Sequence, residues 1–124
     1  MNIFYLDKNP KVAAEMHCNK HVIKMVLEYA QILSTAHRII DGDEAGDERG
    51  LYEIAYKNHP STAWARLGRG NYNYLSDLWA WLGIEYTHRY GKIHKAATLE
   101  WLHYSPDNIP KKTLLTGLTS PPPQ

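Results

Sequence analysis

Apolar positions recur with a helical period from Pro10 to Ile40. Asn9 is placed to cap that run, and Pro10 falls at the first helical position. Nothing interrupts the pattern before Asp41 and Gly42, so the spacing predicts one long helix over about 10–40. The preceding "NIFYLD" alternates and is β-prone, but it is short and alone, which predicts an extended segment without a sheet. The acidic, Gly-containing "DGDEAGDERG" (41–50) reads as a flexible connector. "LYEIAYKNH" reads as a short helix ended before Pro60. Ser61 is placed to cap "STAWARLGRG", which Gly68 and Gly70 interrupt. "NYNYLSDLWAWLGIEYTHRY" is helical by period, with Leu75, Leu78, Trp79, Leu82 and Tyr86 on one face and Gly91 at its end. "HKAATLEWLHY" adds a further short helix. From Ser105 the chain is Pro-rich and extended, through "TSPPPQ". The expected fold is all-α. It has a single helical domain (1–104) built around the long N-terminal helix, and an extended tail (105–124).

The first helix carries an unusual polar row. Successive residues turn 100° about a helix, so His17, His21, Lys24, Glu28, Gln31 and Thr35 lie within about 40° of one line. Met25, Ile32 and Ile39 border the row on one side, Ile23 and Leu27 on the other, and Val22, Val26, Ala30 and Leu33 lie opposite. A helix apolar nearly all round is buried centrally in its domain, and buried polar groups need partners. The row is therefore a solvated face, the floor of a site, or part of a metal centre. His17 and His21 have the spacing of metal ligands, but Cys18 points about 100° away from His17. A third ligand would have to come from His59, His88 or His94, and the Glu of the zinc-protease pattern does not follow the first His. No metal or other cofactor is expected.

Composition narrows the classes. The 124 residues suffice for one domain, with 44% hydrophobic and 22% charged residues and a net charge of +1. No run spans a bilayer and no signal peptide opens the chain, and one cysteine suits a reducing compartment. These features predict a cytoplasmic protein without membrane association. The acidic 41–50 stretch conceals a basic body. Nine Tyr and four Trp stand against one Phe, a bias toward amphipathic rings that suit ligand walls and interfaces. In the second half Arg66, Arg69, Arg89, Lys92, His94 and Lys95 interleave with Trp64, Tyr72, Tyr74, Tyr86 and Tyr90. Cations for phosphates and rings for bases fit DNA or a nucleotide, while a solvated charged face over core aromatics has the same look. No Walker, dinucleotide or nucleophile-elbow motif is present.

The chain carries two resemblances. "NIFYLD" with "HC-x-K-H" on the first helix resembles a group of small tailed-phage proteins over nearly the whole chain, and this implies no activity. The His21/Glu28 pair near the N-terminus, with "YNYLSDLWAWLGIEYTHRYG", resembles the phage pyrimidine-dimer DNA glycosylases of the endonuclease V type. That resemblance implies a base-lesion glycosylase and abasic-site lyase. Met1 would supply the amine that attacks the sugar C1′, Glu28 the stabilising carboxylate, and His21 its orienting partner. An α-amine with a pKa near 8 is partly unprotonated at neutral pH, as a nucleophile must be. The sequence departs from the family where Leu27 and Gln31 replace basic residues, and where Met precedes Asn and so is normally retained. Phosphate contacts would then fall to Lys24, Arg38, Arg66 or Arg69. The other reading of the same residues is non-catalytic. His17, Lys24, Gln31, Arg66, Arg69, Tyr72, Tyr74, Arg89 and Lys92 would bind a nucleotide or nucleotide signal, or the aromatic surfaces and Pro-rich tail would meet a host protein in the host cytoplasm.

Overall fold

The computed structural model describes residues 3–111. Five helices run in order, α1 (Pro10–Glu15), α2 (Asn19–Asp41), α3 (Asp43–Glu48), α4 (Pro60–Ala65) and α5 (Arg69–Tyr90). Two 3₁₀ turns, Lys95–Ala97 and Glu100–His103, complete a single all-α domain, with no strand among the described residues. None of these helices is long and apolar enough to cross a membrane.

Asn9 caps α1 as its sequence position predicts, its side chain accepting from the N–H groups of Lys11 and Val12, with Pro10 next in the chain. The helix then stops after six residues. The single helix expected over 10–40 is two helices, separated at Met16–Cys18, and the cause is tertiary. Arg89, at the far end of α5, donates to the carbonyls of Glu15 (3.0 Å) and His17 (2.8 Å) and to the Asn19 side chain (3.0 Å). Those carbonyls would otherwise bind the next helical turn; a guanidinium takes them instead. The His17 ring fixes the break from inside, with Nδ1 2.7 Å from Ala13 O and Nε2 2.8 Å from Tyr29 Oη. The Tyr29 oxygen also accepts from Phe4 N at 3.0 Å. Its own proton therefore goes to His17 Nε2, which leaves Nδ1–H to donate to Ala13. One phenol thus ties the extended N-terminal segment, the α1–α2 corner and α2 together.

α2 and α5 form the core. Between Tyr29 and Arg38 every residue of α2 except Gln31 is buried, as expected of a helix apolar nearly all round. α5 packs along both α1 and α2, and Leu75, Leu78, Trp79 and Leu82 are fully buried with Tyr86 close behind. Each such side chain contributes roughly 1.5–3 kcal/mol by leaving water. Trp79 also donates Nε1–H to Ala96 O at 3.0 Å, which seats the first 3₁₀ turn. Gly91 ends α5 in the left-handed region (φ +70°), where glycine incurs no Cβ penalty.

Elsewhere tertiary partners override the local pattern. Residues 43–48 form α3, where a flexible connector was expected, because Asp43 and Asp47 find the buried Arg38 guanidinium at 3.4 and 2.9 Å. Gly46 lies so close over Arg38 that an added Cβ would sit 2.5 Å from its side chain. Residues 51–56 are not helical. Arg38 donates to the carbonyls of Tyr52 (2.6 Å) and Leu51 (2.9 Å), and the Thr35 hydroxyl receives Ala55 N at 3.0 Å and donates to Ala55 O at 3.3 Å. Pro60 opens α4 instead of ending a helix, and the cap is His59, whose Nδ1 accepts from Ser61 N (3.1 Å), rather than Ser61. The region 95–103 is 3₁₀, not α. Residues 105–111, expected to begin the tail, stay docked: Ile109 is buried, Pro110 O accepts from Arg69 N at 2.8 Å, and Asp41 holds Asp107 and Asn108. The "TSPPPQ" end lies outside the described residues.

Replacing Tyr29 by Phe removes one hydroxyl and leaves Phe4 N–H and His17 Nε2 without their partner. Urea unfolding should show a loss of about 1–3 kcal/mol with an unchanged m-value; an unchanged midpoint would mean that the phenol does not hold this corner.

Candidate functional site

The polar row, with His17 in the break before α2 and the rest on α2, divides into three parts with different employment. At its N-terminal end His17 is buried, and both ring nitrogens are engaged as described. Burial pulls its pKa below the ordinary 6.5, and nearby His21 and Arg89 add to that pull. At the C-terminal end Thr35 is buried under residue 55, and Arg38 is bound to the same strap one turn further on. Between them His21, Lys24, Glu28 and Gln31 reach the surface in full or in part. His21 is half-buried, its ring stacked on Phe4 at a centroid distance of 4.2 Å. Lys24 Nζ lies 3.4 Å from Glu28 Oε2, with the ammonium exposed and the carboxylate mostly covered. The row is thus a seam roughly 20 Å long from His21 to Thr35 at 1.5 Å per residue. The N-terminal segment crosses it at one end and the 51–56 strap at the other.

The strap carries chemistry that helical periodicity could not reveal. Tyr56 comes directly after Ala55, with φ +50° and 63% of its surface exposed. A left-handed conformation is rare for a bulky residue other than glycine. Its carbonyl accepts from His59 N at 3.0 Å, closing a turn that leads into α4. Arg66, at the end of α4, reaches back and donates Nη2–H to Lys57 O at 2.9 Å. Its Nη1 is buried without a hydrogen-bond partner, a condition shared only by Ser34 Oγ among the described side chains. Loss of hydration lowers the Arg66 pKa. A buried guanidinium donor of this kind is normally matched by an ordered water, an ion or a ligand oxygen. Tyr56 and Lys57, with Arg66 bonded to the latter, follow directly on the contact of Ala55 with Thr35 at the end of the seam.

Other expected site residues have structural employment. Tyr72 is fully buried and donates to Leu102 O at 3.0 Å, so its ring presents no face to a ligand. Arg89 is the clamp at the α1–α2 corner and also meets Glu85 at 3.1 Å. Tyr74 is half-buried with its hydroxyl on Asp7 O at 2.6 Å, and its ring is near Tyr5. Arg69 is half-buried at the start of α5, and Lys92 is exposed beyond Gly91. Met1 lies outside the described residues. The structure pairs Lys24 with Glu28 on the seam, with Gln31 a turn further on, and sets Arg66 at the end of α4 with its guanidinium on Lys57 O; Lys92 and Arg89 belong to the other end of α5.

A second titratable cluster, around His37, was not singled out by residue pattern because its members come from five segments. His37 Nε2 meets Tyr72 Oη at 2.8 Å, and since that phenol donates to Leu102 O, the imidazole must be the donor. Its Nδ1 then accepts from Arg49 Nη1 at 2.9 Å. Arg49 is held in turn by Asp41 at 2.7 Å and Asp107 at 3.2 Å, with the Trp101 ring 4.8 Å away. Burial, and then the Arg49 charge, push the His37 pKa down to about 4. Burial alone would raise the Asp41 pKa, but hydrogen bonds from Arg49, Asn108 and Asp107 outweigh it and hold the group at about 2. At the surface of this cluster Trp101 and Tyr104 expose their rings. A separate apolar cleft of about 600 Å³ lies between α5 and the segment after it, lined by Ala80, Ile84, Ile93 and Ala97 among others and by no residue of α2 or the strap. No group of three or more His, Cys, Asp or Glu among the described residues is placed to hold a metal ion. Cys18 is exposed at the start of α2.

No protein-family model, curated protein or solved structure matches this chain.

The His37 cluster makes stability depend on pH. Its folded pKa lies below the unfolded value of 6.5, so its contribution is complete above pH 6.5 and is lost as pH falls toward 4. At pH 5 the loss is about 2 kcal/mol relative to pH 7. Asp41 adds a second loss from about pH 4 downward, because its folded pKa is also depressed. In His37→Gln, urea unfolding between pH 7 and 5 should show a markedly shallower decline than wild type; parallel curves would contradict the assignment of His37 as buried and neutral.

Proposed function

We propose that the protein is a non-catalytic binder of phosphate-bearing nucleotide units, with the seam of α2 and the turn at 56–59 as its site. The observation that carries this reading is the Arg66 guanidinium, whose buried Nη1 has no acceptor and which donates to the carbonyl of Lys57, next in the chain to the exposed Tyr56. A phosphate oxygen matches that donor, and the exposed Lys24 ammonium, paired with Glu28 at 3.4 Å, lies along the seam. Gln31 offers an amide for a base edge or sugar. The two buried histidines are neutral, with both ring nitrogens engaged, which favours binding over acid/base chemistry at those positions. A cytoplasmic setting, within a host cell if the chain is phage-encoded, is part of this proposal.

A second reading keeps the same seam and makes it catalytic, as the resemblance to pyrimidine-dimer glycosylases implies. It is favoured by the N-terminal segment, since Ile3 is buried and Phe4 is stacked on His21, two turns of α2 before Glu28. In that chemistry an amine at the chain start displaces the base at C1′ to give a Schiff base, with Glu28 stabilising the charged sugar. Borohydride trapping on an abasic-site duplex separates the readings. A covalent adduct abolished by N-terminal acetylation supports the lyase; its absence supports the binder.

For the binding reading, thermal shift and calorimetry with nucleoside monophosphates and an eight-nucleotide single strand should show saturable stabilisation. Arg66→Gln should weaken binding about tenfold, the order expected when a charge-assisted hydrogen bond is lost. Equal affinity in the variant, or no binding by wild type, would contradict the proposal.

A further inference from the structure

Tyr56 is the one described non-glycine residue with positive φ. Its ring is largely exposed and takes part in no ring–ring or cation–ring contact among the described residues. The backbone on either side is nevertheless over-determined. Thr35 grips both the N–H and the carbonyl of Ala55, Tyr56 O receives His59 N, and Arg66 holds Lys57 O. A glycine at this position would fold with less strain. The sequence instead places a large planar ring there and clamps the chain around it. Strain of this kind, maintained by side chains reaching in from two helices, marks a residue whose orientation matters to something outside the fold.

We infer that Tyr56 is a pre-set stacking platform, and that the site takes a nucleotide whose base is unpaired and unstacked, as in a single strand, rather than an intact duplex. This deepens the nucleotide-binding proposal and rests on it. Arg66 is bonded to the carbonyl of Lys57, the residue after Tyr56, so a phosphate held by the guanidinium brings its nucleotide to the segment that carries the ring. An aromatic platform of this type accepts any base, because every base has a π face. Inside a paired duplex both faces of each base are already stacked, and only the two terminal pairs leave a face for the phenol to receive. The clamp also matters energetically. The backbone that carries the ring is already fixed, so no main-chain freedom is lost when a base arrives.

The test uses the full chain and two probes, an eight-nucleotide single strand and the blunt duplex of the same sequence, titrated by fluorescence anisotropy alongside thermal melts of each variant. Wild type should bind the single strand at least tenfold more tightly than the duplex. Tyr56→Gly should raise the melting temperature, because it relieves the left-handed strain, and yet weaken single-strand binding at least fivefold. Tyr56→Trp should retain or improve affinity. Thr35→Val, which keeps the ring and removes both clamping hydrogen bonds, should give an intermediate loss. Single-strand affinity unchanged in Tyr56→Gly but reduced in Arg66→Gln would overturn the platform and leave the seam standing. Duplex binding equal to or tighter than single-strand binding would overturn the assigned class. No binding of either probe by wild type would remove the platform and the nucleotide reading together.

Discussion

One buried guanidinium holds together the parts of this fold that helical packing alone does not reach. Arg38 meets the carbonyls of Leu51, Tyr52 and Asp43 and the carboxylates of Asp43 and Asp47. A charge withdrawn from water to this degree is tolerable only when its donors are matched, and here two acids and three carbonyls match them. The consequences spread outward. The acids fold into α3 because Arg38 waits for them, Gly46 has no side chain because Arg38 occupies the space, and 51–52 stay non-helical because their carbonyls are taken. Thr35, one turn earlier, repeats the arrangement at Ala55. The placement of Tyr56 therefore descends from side chains near the C-terminal end of α2, and the core and the candidate site share one helix.

That sharing explains why the α2 row looks ambiguous as a pattern. Both of its ends are structural, since His17 closes the corner with α1 and Thr35 and Arg38 hold the strap. The central stretch, with Lys24, Glu28 and Gln31, is the part that faces outward. Neither a uniformly solvated face nor a continuous site floor describes it. The two buried histidines observe the same division of labour. Each is kept neutral by burial and used as a rigid donor–acceptor bridge between segments distant in sequence.

What was legible in the sequence was what local physics decides. Asn9 and Pro10 started a helix, the Leu75–Tyr86 face was buried, Gly91 ended α5, and the all-α class came from the period. What was not legible depended on partners remote in sequence. No spacing rule shows that Arg89 would take the carbonyls of Glu15 and His17 and break a helix that lacks Gly or Pro at the break. Nor does an acidic, glycine-containing stretch look helical until Arg38 is known to lie beneath it. For the candidate site, Lys24, Glu28, Gln31 and Arg66 were visible as residue types in a pattern. Tyr56 was hidden because "LYEIAYKNH" has a helical look, and its strap conformation exists only against Thr35 and Arg38. Tyr72 and Arg89 drew attention for their chemistry, and that chemistry is used internally.

If the open middle of the α2 seam and the turn at 56–59 form one binding surface, they should respond together to a ligand. Amide and side-chain NMR shifts on titration with an eight-nucleotide single strand test this most directly. Perturbations should concentrate at Lys24, Gln31, Ala55–Lys57 and the Arg66 guanidinium, with the Trp101–Tyr104 face and the apolar cleft on α5 unmoved. Perturbations centred on either of those two surfaces, with the seam silent, would contradict it.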